Sequence, residues 1–388
     1  MLSQKTIDTV KATIPVLEES GVALTTYFYD RMFTQNPEVK KYFNQSHQLN
    51  ASQPKALATA VLAFAKNIDN LIALGDAVEL IAQKHAALQM KPEHYPIVGE
   101  NLIESIKEVL GLDNNNDIVI AWTEAYGLLA KVLIGREKEI YDDNLEKYGW
   151  NDFKEFKVFK KEDESSNACS FYLKSDDIKK IDFKPGQYIT VRIPVGETTT
   201  MRNYSISSAT GENYIRITVK KEGKGIISQY LHDQLDSGDS IGVAPPCGEF
   251  FLDLKQSDDK PLVFLSAGIG ITPLLSMLLS ELQTDNTRDI LFICGKKNSL
   301  EHPFADVIQN LSTKNNRLKT VFFYEENVKS PDKQGLIDLA VIRDTLGTVD
   351  ARYYFCGPSK FMHSIESRLQ QGGISDKNIN FEFFGSKG

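Results

Sequence analysis

The spacing of apolar side chains changes twice along this chain. From residue 1 to about 145 they recur every three to four positions, which is typical of amphipathic helices. Polar turns and prolines such as Asn36-Pro37 interrupt the pattern, so about seven helices are predicted. The apolar runs lie at 10–17, 27–33, 57–64, 71–88, 97–110 and 118–140. We therefore expect the first part of the chain to be all-α.

The remaining pattern predicts two further kinds of structure. After Trp150, runs at 153–159, 168–173, 188–193 and 214–219 alternate or are β-branched, which indicates a small antiparallel β-barrel. From Lys260, apolar strands at 262–265, 290–293, 320–324, 353–355 and 379–383 alternate with helical stretches, as in an α/β doubly wound parallel sheet. A chain of 388 residues also exceeds one ordinary core. The predicted domains are 1–147, 148–256 and 257–388.

Composition narrows the classes of partner. The net charge is -8, which gives no electrostatic reason to expect nucleic acid or an anionic membrane, so small molecules are the expected partners. The start of the chain reads as a charged amphipathic helix rather than a signal peptide or anchor, and no apolar run approaches membrane-spanning length. Four dispersed cysteines favour a reducing compartment, with the cytoplasm as the expected location. The sequence leaves the oligomeric state open, a monomer being one expectation.

One histidine stands out in the helical part. His85 recurs at helical spacing with Val78, Ile81 and Leu88, so its imidazole projects from an apolar stripe. Such a histidine is either a hydrogen-bonded core residue or a ligand of a buried cofactor. Because no Cys, His or carboxylate cluster has the spacing of a zinc or di-iron site, ligation would point to haem. Residues that could close over the open coordination position are Tyr29, Phe43, Gln53 and Leu57, and possible partners of the other imidazole nitrogen are Tyr95 and Glu137.

A glycine turn lies between a strand and a helix in the last part. Thr272 is predicted as the N-cap and Pro273 as the first helical residue, so backbone N–H groups would face the space above Gly268 and Gly270. A dinucleotide's phosphates suit such a turn, although an ordinary tight turn has the same sequence pattern. Cys356-Gly357-Pro358 follows a second strand at the same edge, which favours a nicotinamide site; the alternative for Cys356 is a small buried residue.

The barrel carries a second turn suited to a phosphorylated cofactor. Arg202 offers a cation for a diphosphate, Tyr204 an aromatic face and Ser205 a hydroxyl, a combination that suggests flavin. The alternative is a β-strand with alternating exposure. Gly225 to Ser228 would then open a helix at 229–235 whose N–H groups take the flavin's diphosphate.

These motifs occur in one order. The chain resembles the flavohaemoglobins, which join a globin domain to a ferredoxin-reductase-like module with an FAD barrel and an NAD(P) domain. The resemblance runs from residue 2 to about 385, and its specific runs include Phe28-Tyr-Asp-Arg-Met-Phe33, Ile81-Ala-Gln-Lys-His85, Arg136-Glu-Lys-Glu-Ile-Tyr141, Pro185-Gly-Gln-Tyr188 and Ser266-Ala-Gly-Ile-Gly-Ile-Thr-Pro273.

The resemblance implies roles for these residues. His85 would be the proximal iron ligand of haem b, with Tyr95 and Glu137 around it; Tyr29 and Gln53 would line the distal pocket, Leu57 would shape access and Phe43 would pack on the porphyrin. The implied FAD contacts are Tyr188, Arg202, Asn203, Tyr204, Ser205, Gly225, Ser228 and Glu382. The implied NAD(P) contacts are Gly268, Gly270, Thr272, Pro273, Cys356, Gly357, Pro358 and Phe384.

Two segments depart from the family's pattern. Cys294-Gly-Lys-Lys-Asn298 stands where many relatives read His-Ala-Ala-x-Asn, and Gly385-Ser386 replaces a usual Gly-Pro. Lys296 and Lys297 could attract a 2'-phosphate, but an exposed lysine pair is more often a solvated surface, so NADH against NADPH stays open.

The resemblance implies a nitric oxide dioxygenase, which uses NAD(P)H, FAD and haem b to convert nitric oxide and oxygen to nitrate. Two other functions stay open: an oxygen-binding or sensing globin with a maintenance reductase, and an NAD(P)H-dependent reductase for an external acceptor. Fold alone does not separate them.

Overall fold

The computed structural model describes residues 2–43, 52–195, 198–223, 225–256, 258–326, 328 and 332–384. Gly385 and Ser386 lie outside them. The chain divides into two compact units. One is formed by Met1–Phe153 with Arg192–Arg202, and the other by Lys154–Val191 and Asn203–Phe384.

The Met1–Phe153 segment of the first unit is helical, as predicted. Its described part holds six α-helices: α1 Gln4–Ala12, α2 Ile14–Gln35, α3 Ser52–Lys66, α4 Gly75–Ala87, α5 His94–Leu110 and α6 Asp117–Tyr148. Short 3-10 helices at Pro37–Tyr42 and Leu71–Leu74 lie between these α-helices. Asn116 caps α6 by accepting a hydrogen bond from the Ile118 N–H, which satisfies a donor that the helix itself leaves unpaired.

The core of this unit lies between α2, α5 and α6. Phe28, Met32, Trp122 and Ala125 are at most 3% exposed and belong to one hydrophobic cluster. In the described part of the chain, α6 alone is long and apolar enough to cross a membrane by length and composition, so the expectation that no apolar run approaches membrane-spanning length is wrong for this helix. Its buried face packs in this core, so α6 is a core helix of the domain rather than a span.

The β-barrel follows the helical segment in the sequence. Its strands are β1 Lys154–Ser165, β2 Ala168–Lys174, β3 Tyr188–Val195, β4 Thr198–Ser205, β5 Ile215–Lys220 and β6 Ser240–Val243. They follow the order β4-β3-β6-β1-β2-β5, and an antiparallel bridge from Ile206 to Ile217 joins the two ends of that order. The predicted antiparallel barrel is therefore confirmed, with β4 and β6 in addition to the predicted strands. A single helix, α7 Ile226–Asp233, follows β5.

The last part of the chain is a doubly wound sheet. Its strands are β7 Leu262–Ala267, β8 Ile290–Lys296, β9 Leu318–Tyr324, β10 Lys333–Gln334, β11 Arg352–Cys356 and β12 Ile379–Phe381. They are parallel and follow the order β10-β9-β8-β7-β11-β12. The helices are α8 Ile271–Glu281, α9 Ala305–Lys314, α10 Ala340–Leu346 and α11 Ser359–Gln371. Separate hydrophobic clusters cover the two faces of the sheet, as the alternation of strands and helices predicts.

Candidate functional site

The imidazole of His85 is held by two buried oxygen atoms. Its Nδ1 lies 2.8 Å from Glu137 Oε1 and 3.1 Å from the Tyr95 hydroxyl, and that hydroxyl also donates to Glu137. Glu137 is 2% exposed and Tyr95 7%. Because a carboxylate only accepts hydrogen bonds, Nδ1 carries the proton and Nε2 keeps a free lone pair. These three residues lie on α4, α5 and α6, and the fold brings them together.

Two further contacts fix α4 and α5 against α6. Arg136, the neighbour of Glu137, pairs with both oxygens of Glu79 on α4 at 2.6 and 3.0 Å. The hydroxyl of Tyr126 on α6 donates to the Tyr95 carbonyl at 2.6 Å. Bidentate arginine–carboxylate pairs define orientation as well as distance. The geometry around His85 therefore rests on contacts among all three helices.

The surface around His85 suits a large apolar group. Val78, Ile81 and Leu88 are only half-buried, whereas Ala82 and Ala86 of the same helix are fully buried. The apolar stripe predicted from the sequence is therefore not the face of α4 that packs into the protein core. A half-exposed apolar stripe beside a nitrogen lone pair fits a porphyrin whose iron is bound by that nitrogen.

The residues predicted for the other side of the cofactor are on α2, on α3 and just after the first 3-10 helix. The Tyr29 ring stacks on Phe33 at 5.7 Å between centroids and meets the edge of Phe43 at the same separation. Burial raises the pKa of the Tyr29 hydroxyl well above its usual range, and a hydrogen bond with Gln53 opposes the rise. Gln53 Oε1 is buried without a partner among the described residues, and Leu57 is half-buried one turn further along α3. This cluster offers a hydroxyl and an amide within an apolar, aromatic surrounding.

The barrel places most of its predicted residues on neighbouring strands. The Tyr188 ring of β3 packs against Gly248, where an added Cβ would lie 2.8 Å from the ring and where φ is +116°. Burial is the main cause that raises the pKa of Tyr188 well above its usual range. Asn203 accepts a hydrogen bond from the Thr190 hydroxyl at 2.9 Å, and Ser205 is buried.

The predicted turn at Arg202 is a strand. Arg202, Tyr204 and Ser205 lie in β4, so the alternative of a strand with alternating exposure describes the backbone. Arg202 and Tyr204 are half-buried and Ser205 is buried. The segment forms a strand because the neighbouring strand pairs with its backbone N–H and C=O groups. A turn would leave those groups without partners. Strand geometry still allows the cation, the aromatic face and the hydroxyl to serve a flavin.

The helix after β5 begins earlier than predicted. α7 spans Ile226–Asp233 with Gly225 as its N-cap, so Ser228 lies inside the helix instead of preceding it. The Ser228 hydroxyl donates to the Gly225 carbonyl and accepts from the Glu222 N–H, each at 3.0 Å. No side chain among the described residues caps the helix, so its first N–H groups can bind a diphosphate oxygen.

In the doubly wound sheet, two predicted segments meet at the carboxyl edge. Cys356 pairs with Ser266 on the neighbouring strand, which brings the ends of β7 and β11 together. Gly270 packs so closely on the backbone of Cys356 and Gly357 that an added Cβ would overlap it, and Gly268 has φ +53° and lies near Pro358. Both glycines are therefore required by the close approach or by the backbone conformation. This edge is where doubly wound sheets bind nucleotides.

The prediction that Thr272 caps the helix is wrong. α8 begins at Ile271 after a 3-10 turn at Gly268–Gly270, and its N-cap is Gly270. The Thr272 hydroxyl donates to the Ile269 carbonyl at 3.0 Å, and Pro273 is the third helical residue. The 3-10 turn starts the helix earlier, which leaves the N–H groups at the turn without a side-chain cap.

The end of the described chain lies beside the same strand edge. The Cys356 thiol donates to the Glu382 carbonyl at 3.4 Å, and Cys356 is fully buried, as its alternative interpretation also predicts. Phe384 is 46% exposed.

Sequence reasoning missed the inward position of Lys296, whose ammonium donates to the Gly268 carbonyl. The expectation that both lysines are exposed is therefore wrong for Lys296, because the glycine turn covers the end of its strand.

Known families match the three sections in the same order. The globin family matches residues 26–133, the oxidoreductase FAD-binding domain matches 155–252 and the oxidoreductase NAD-binding domain matches 264–367. The fold and the sites thus define a haem-binding globin joined to FAD- and NAD-binding oxidoreductase domains.

Similar proteins extend over the whole chain. The flavohemoprotein of Bacillus subtilis is 42% identical over 395 residues, covering 99% of this chain and 98% of that protein. The flavohemoprotein of Halalkalibacterium halodurans is 41% identical over 403 residues, covering 100% and 98%. A crystal structure of flavohemoglobin from Malassezia yamatoensis with bound FAD and heme has a TM-score of 0.87 at 27% identity, covering 99% of this chain and 100% of that one. The chain belongs to the flavohemoprotein family, which confirms the resemblance, and its cofactors are haem, FAD and NAD(P).

A shorter relative matches the reductase part alone. The crystal structure of the flavohem-like FAD/NAD binding domain of nitric oxide dioxygenase from Vibrio cholerae has a TM-score of 0.55 at 30% identity. It covers 60% of this chain and 99% of that one.

Proposed function

We propose that this flavohemoprotein is a nitric oxide dioxygenase. The observation that carries the proposal is the buried contact of His85 with Glu137 and Tyr95. A carboxylate bound to the imidazole makes it a stronger electron donor, which favours oxygen activation over oxygen storage. The name of the Vibrio cholerae relative supports the same activity.

The cofactors supply the electron transfers and the chain supplies their placement. When bound, FAD would supply hydride acceptance from NAD(P)H and one-electron delivery, and haem would supply the iron needed to convert nitric oxide and oxygen to nitrate. His85 Nε2 would hold the haem, with its proton kept on Nδ1 by Glu137. Tyr29 would offer its hydroxyl proton to oxygen, because burial keeps that hydroxyl protonated.

In the reductase part, several of the predicted residues would each contact one portion of a cofactor. Tyr188 and Tyr204 would pack on the flavin ring, and Arg202 and the N-terminus of α7 would bind its diphosphate. Gly268 and Gly270 would admit the nicotinamide coenzyme's diphosphate to the turn before α8, and Cys356 to Pro358 would lie beside the nicotinamide. We retain the three domains 1–147, 148–256 and 257–388 as part of the proposal.

The first experiment follows nitric oxide directly. The protein loaded with haem and FAD would be given NADH in aerated buffer, with a nitric oxide electrode and a final nitrate assay. We expect fast, cyanide-sensitive loss of nitric oxide with stoichiometric nitrate. Oxidation of NADH without nitric oxide loss would contradict the proposal and favour a reductase for an external acceptor. Slow turnover with tight oxygen binding would favour the sensing globin.

The His85→Ala variant separates the same alternatives. It removes the proposed iron ligand, so nitric oxide consumption should be lost while NADH still reduces the flavin. A reductase for an external acceptor would keep its activity.

The four cysteines are free and buried, which supports our proposal that the protein works in the reducing cytoplasm.

A further inference from the structure

A buried lysine closes the glycine turn of the nucleotide site. Lys296 is the last residue of β8 and is 5% exposed, and its ammonium donates to the Gly268 carbonyl. No carboxylate lies within ion-pair distance of this ammonium among the described residues. Its neighbour Lys297 is 59% exposed and lies 3.9 Å from Glu326. The two lysines therefore have different surroundings although they are adjacent in sequence.

The other groups around Lys296 do not balance its charge. Cys294, two residues earlier on the strand, is buried and accepts a hydrogen bond from the Ser266 hydroxyl at 3.2 Å. His302 is 3% exposed and its Nδ1 lies 2.7 Å from the Tyr324 hydroxyl, while its Nε2 has no partner among the described residues. A buried cation without a nearby anion is costly, so proteins keep one where a ligand or a partner supplies the opposite charge.

The place of this cation indicates which ligand group supplies that charge. The carbonyl that it binds belongs to Gly268, the first residue of the turn before α8, and no described side chain caps α8. An anion at this helix start would meet backbone N–H groups and the positive end of the helix dipole, with the charge of the ammonium on the carbonyl side of the same turn. The lysine also holds the Gly268 carbonyl toward itself, which leaves the N–H side of the turn for the ligand.

We propose that Lys296 is a positioning residue for the diphosphate of the nicotinamide coenzyme, and that it serves NADH and NADPH alike. It acts through the Gly268 carbonyl and through its charge. The proposal rests on the nicotinamide site of the proposed function but not on the reaction with nitric oxide. The alternative is that the negative charge beside Lys296 comes from a 2'-phosphate, which is present only in NADP(H).

The titration of Lys296 should make coenzyme binding depend on pH, which a role in packing alone would not. Burial lowers the pKa of Lys296 to about 8; Cys294 raises it and Lys220 lowers it further. The pKa of His302 falls to about 2, chiefly through burial and also through Lys296, so this imidazole is neutral over the range tested. A diphosphate favours the protonated amine, so coenzyme binding should weaken as pH rises through about 8.

The test measures binding of the oxidised coenzymes, which cannot reduce the flavin. NAD+ and NADP+ would be titrated by calorimetry into the full FAD-loaded chain and into Lys296→Met. We expect affinity to fall about tenfold for both coenzymes by the same factor, as for loss of a charged partner. The pH dependence should disappear in both Lys296→Met and Lys296→Arg, with the affinity lost in Lys296→Met and retained above pH 8 in Lys296→Arg, whose guanidinium stays charged. The matched control Lys297→Met should change NAD+ affinity by less than about twofold.

Three outcomes would overturn the assignment: unchanged affinity in Lys296→Met, a loss confined to NADP+, or an equal loss in Lys297→Met. Flavin absorbance and the melting temperature of each variant show whether it is folded. If Lys296→Met loses FAD, the pH profiles of the unmodified protein and Lys296→Arg decide the question. Because nitric oxide is absent from the assay, its outcome is independent of the dioxygenase activity.

Discussion

Replacing Glu137 by Gln should raise the midpoint potential of the haem iron. The substitution keeps the shape of the side chain but removes the charge of the group that accepts the Nδ1 proton of His85 at 2.8 Å. A stronger acceptor makes the imidazole more anionic, and an anionic ligand stabilises ferric over ferrous iron. Removing that charge should therefore favour reduction.

The expected size follows from the hydrogen bond that is weakened. Hydrogen bonds to charged groups contribute about 1.5–3 kcal/mol and neutral ones about 0.5–1.5 kcal/mol, a difference on the order of 1 kcal/mol. Glu137 is 2% exposed, so solvent does not screen this difference away. For a one-electron couple 59 mV corresponds to a tenfold change, so the potential should rise by about 40 mV if the whole difference favours the ferric state.

The assay is a spectroelectrochemical titration of the haem absorbance in the holoprotein. The matched control is Glu139→Gln on the same helix, because Glu139 is 66% exposed and pairs with Arg136 instead of His85. We expect no resolvable shift in this control. An unchanged or lowered potential in Glu137→Gln would refute the view that this carboxylate charges the imidazole.

Three further predictions concern other parts of the chain. Tyr29→Phe removes one buried hydroxyl, so oxygen should leave about fivefold faster in stopped-flow measurements while flavin reduction by NADH is unchanged; an unchanged oxygen rate would remove Tyr29 from the mechanism. Gly21→Ala should stabilise α2 by about 0.5–1 kcal/mol, because the new Cβ would meet its nearest neighbour at an ordinary 3.6 Å. Gly99→Ala should destabilise, because its Cβ would overlap the Tyr126 ring; thermal unfolding followed by haem absorbance compares the two, and equal shifts would contradict this packing. Burial lowers the pKa of His302 to about 2, so the unfolded chain takes up this proton below about pH 6.5 and the folded chain does not. The stability that depends on neutral His302 is thus present above about pH 6.5 and lost as pH falls toward 2, and the melting temperature of His302→Gln should depend less on pH between about 7 and 5.

The helical section was predictable because its signal is local. The run at 97–110 corresponds to α5 at His94–Leu110, and the run at 118–140 lies within α6. Apolar periodicity records which face of a helix is covered. It does not record which group covers it, so the stripe of His85 could not be assigned to a core or a cofactor from spacing alone.

Positions that depend on distant contacts were harder to predict. Arg202 and Ser205 read as a turn because polar residues are common there, and the barrel neighbours that make them a strand lie elsewhere in the sequence. Thr272 is a good N-cap residue, but the 3-10 turn at Gly268 starts the helix before it. Local preference gave way to tertiary structure at both places.

Lys296 shows a signal that was present but outweighed. Lysine is almost never fully buried, so two adjacent lysines indicate surface. Strand alternation, however, puts Lys296 on the same side as Cys294 and Phe292, both fully buried. The alternation would have separated Lys296 from Lys297, had it been followed to the end of the strand.

The adjacent residues Arg136 and Glu137 also limit how this gene can change in length. Both reach across to α4, one to Glu79 and the other to His85, while Tyr126, about three turns earlier on α6, holds the backbone of Tyr95. One residue inserted between Tyr126 and Arg136 would rotate everything beyond it by about 100° and advance it by about 1.5 Å. Both contacts to α4 would then be lost together. Insertions and deletions should be tolerated in the surface loops of this globin far more readily than between Tyr126 and Arg136 of α6.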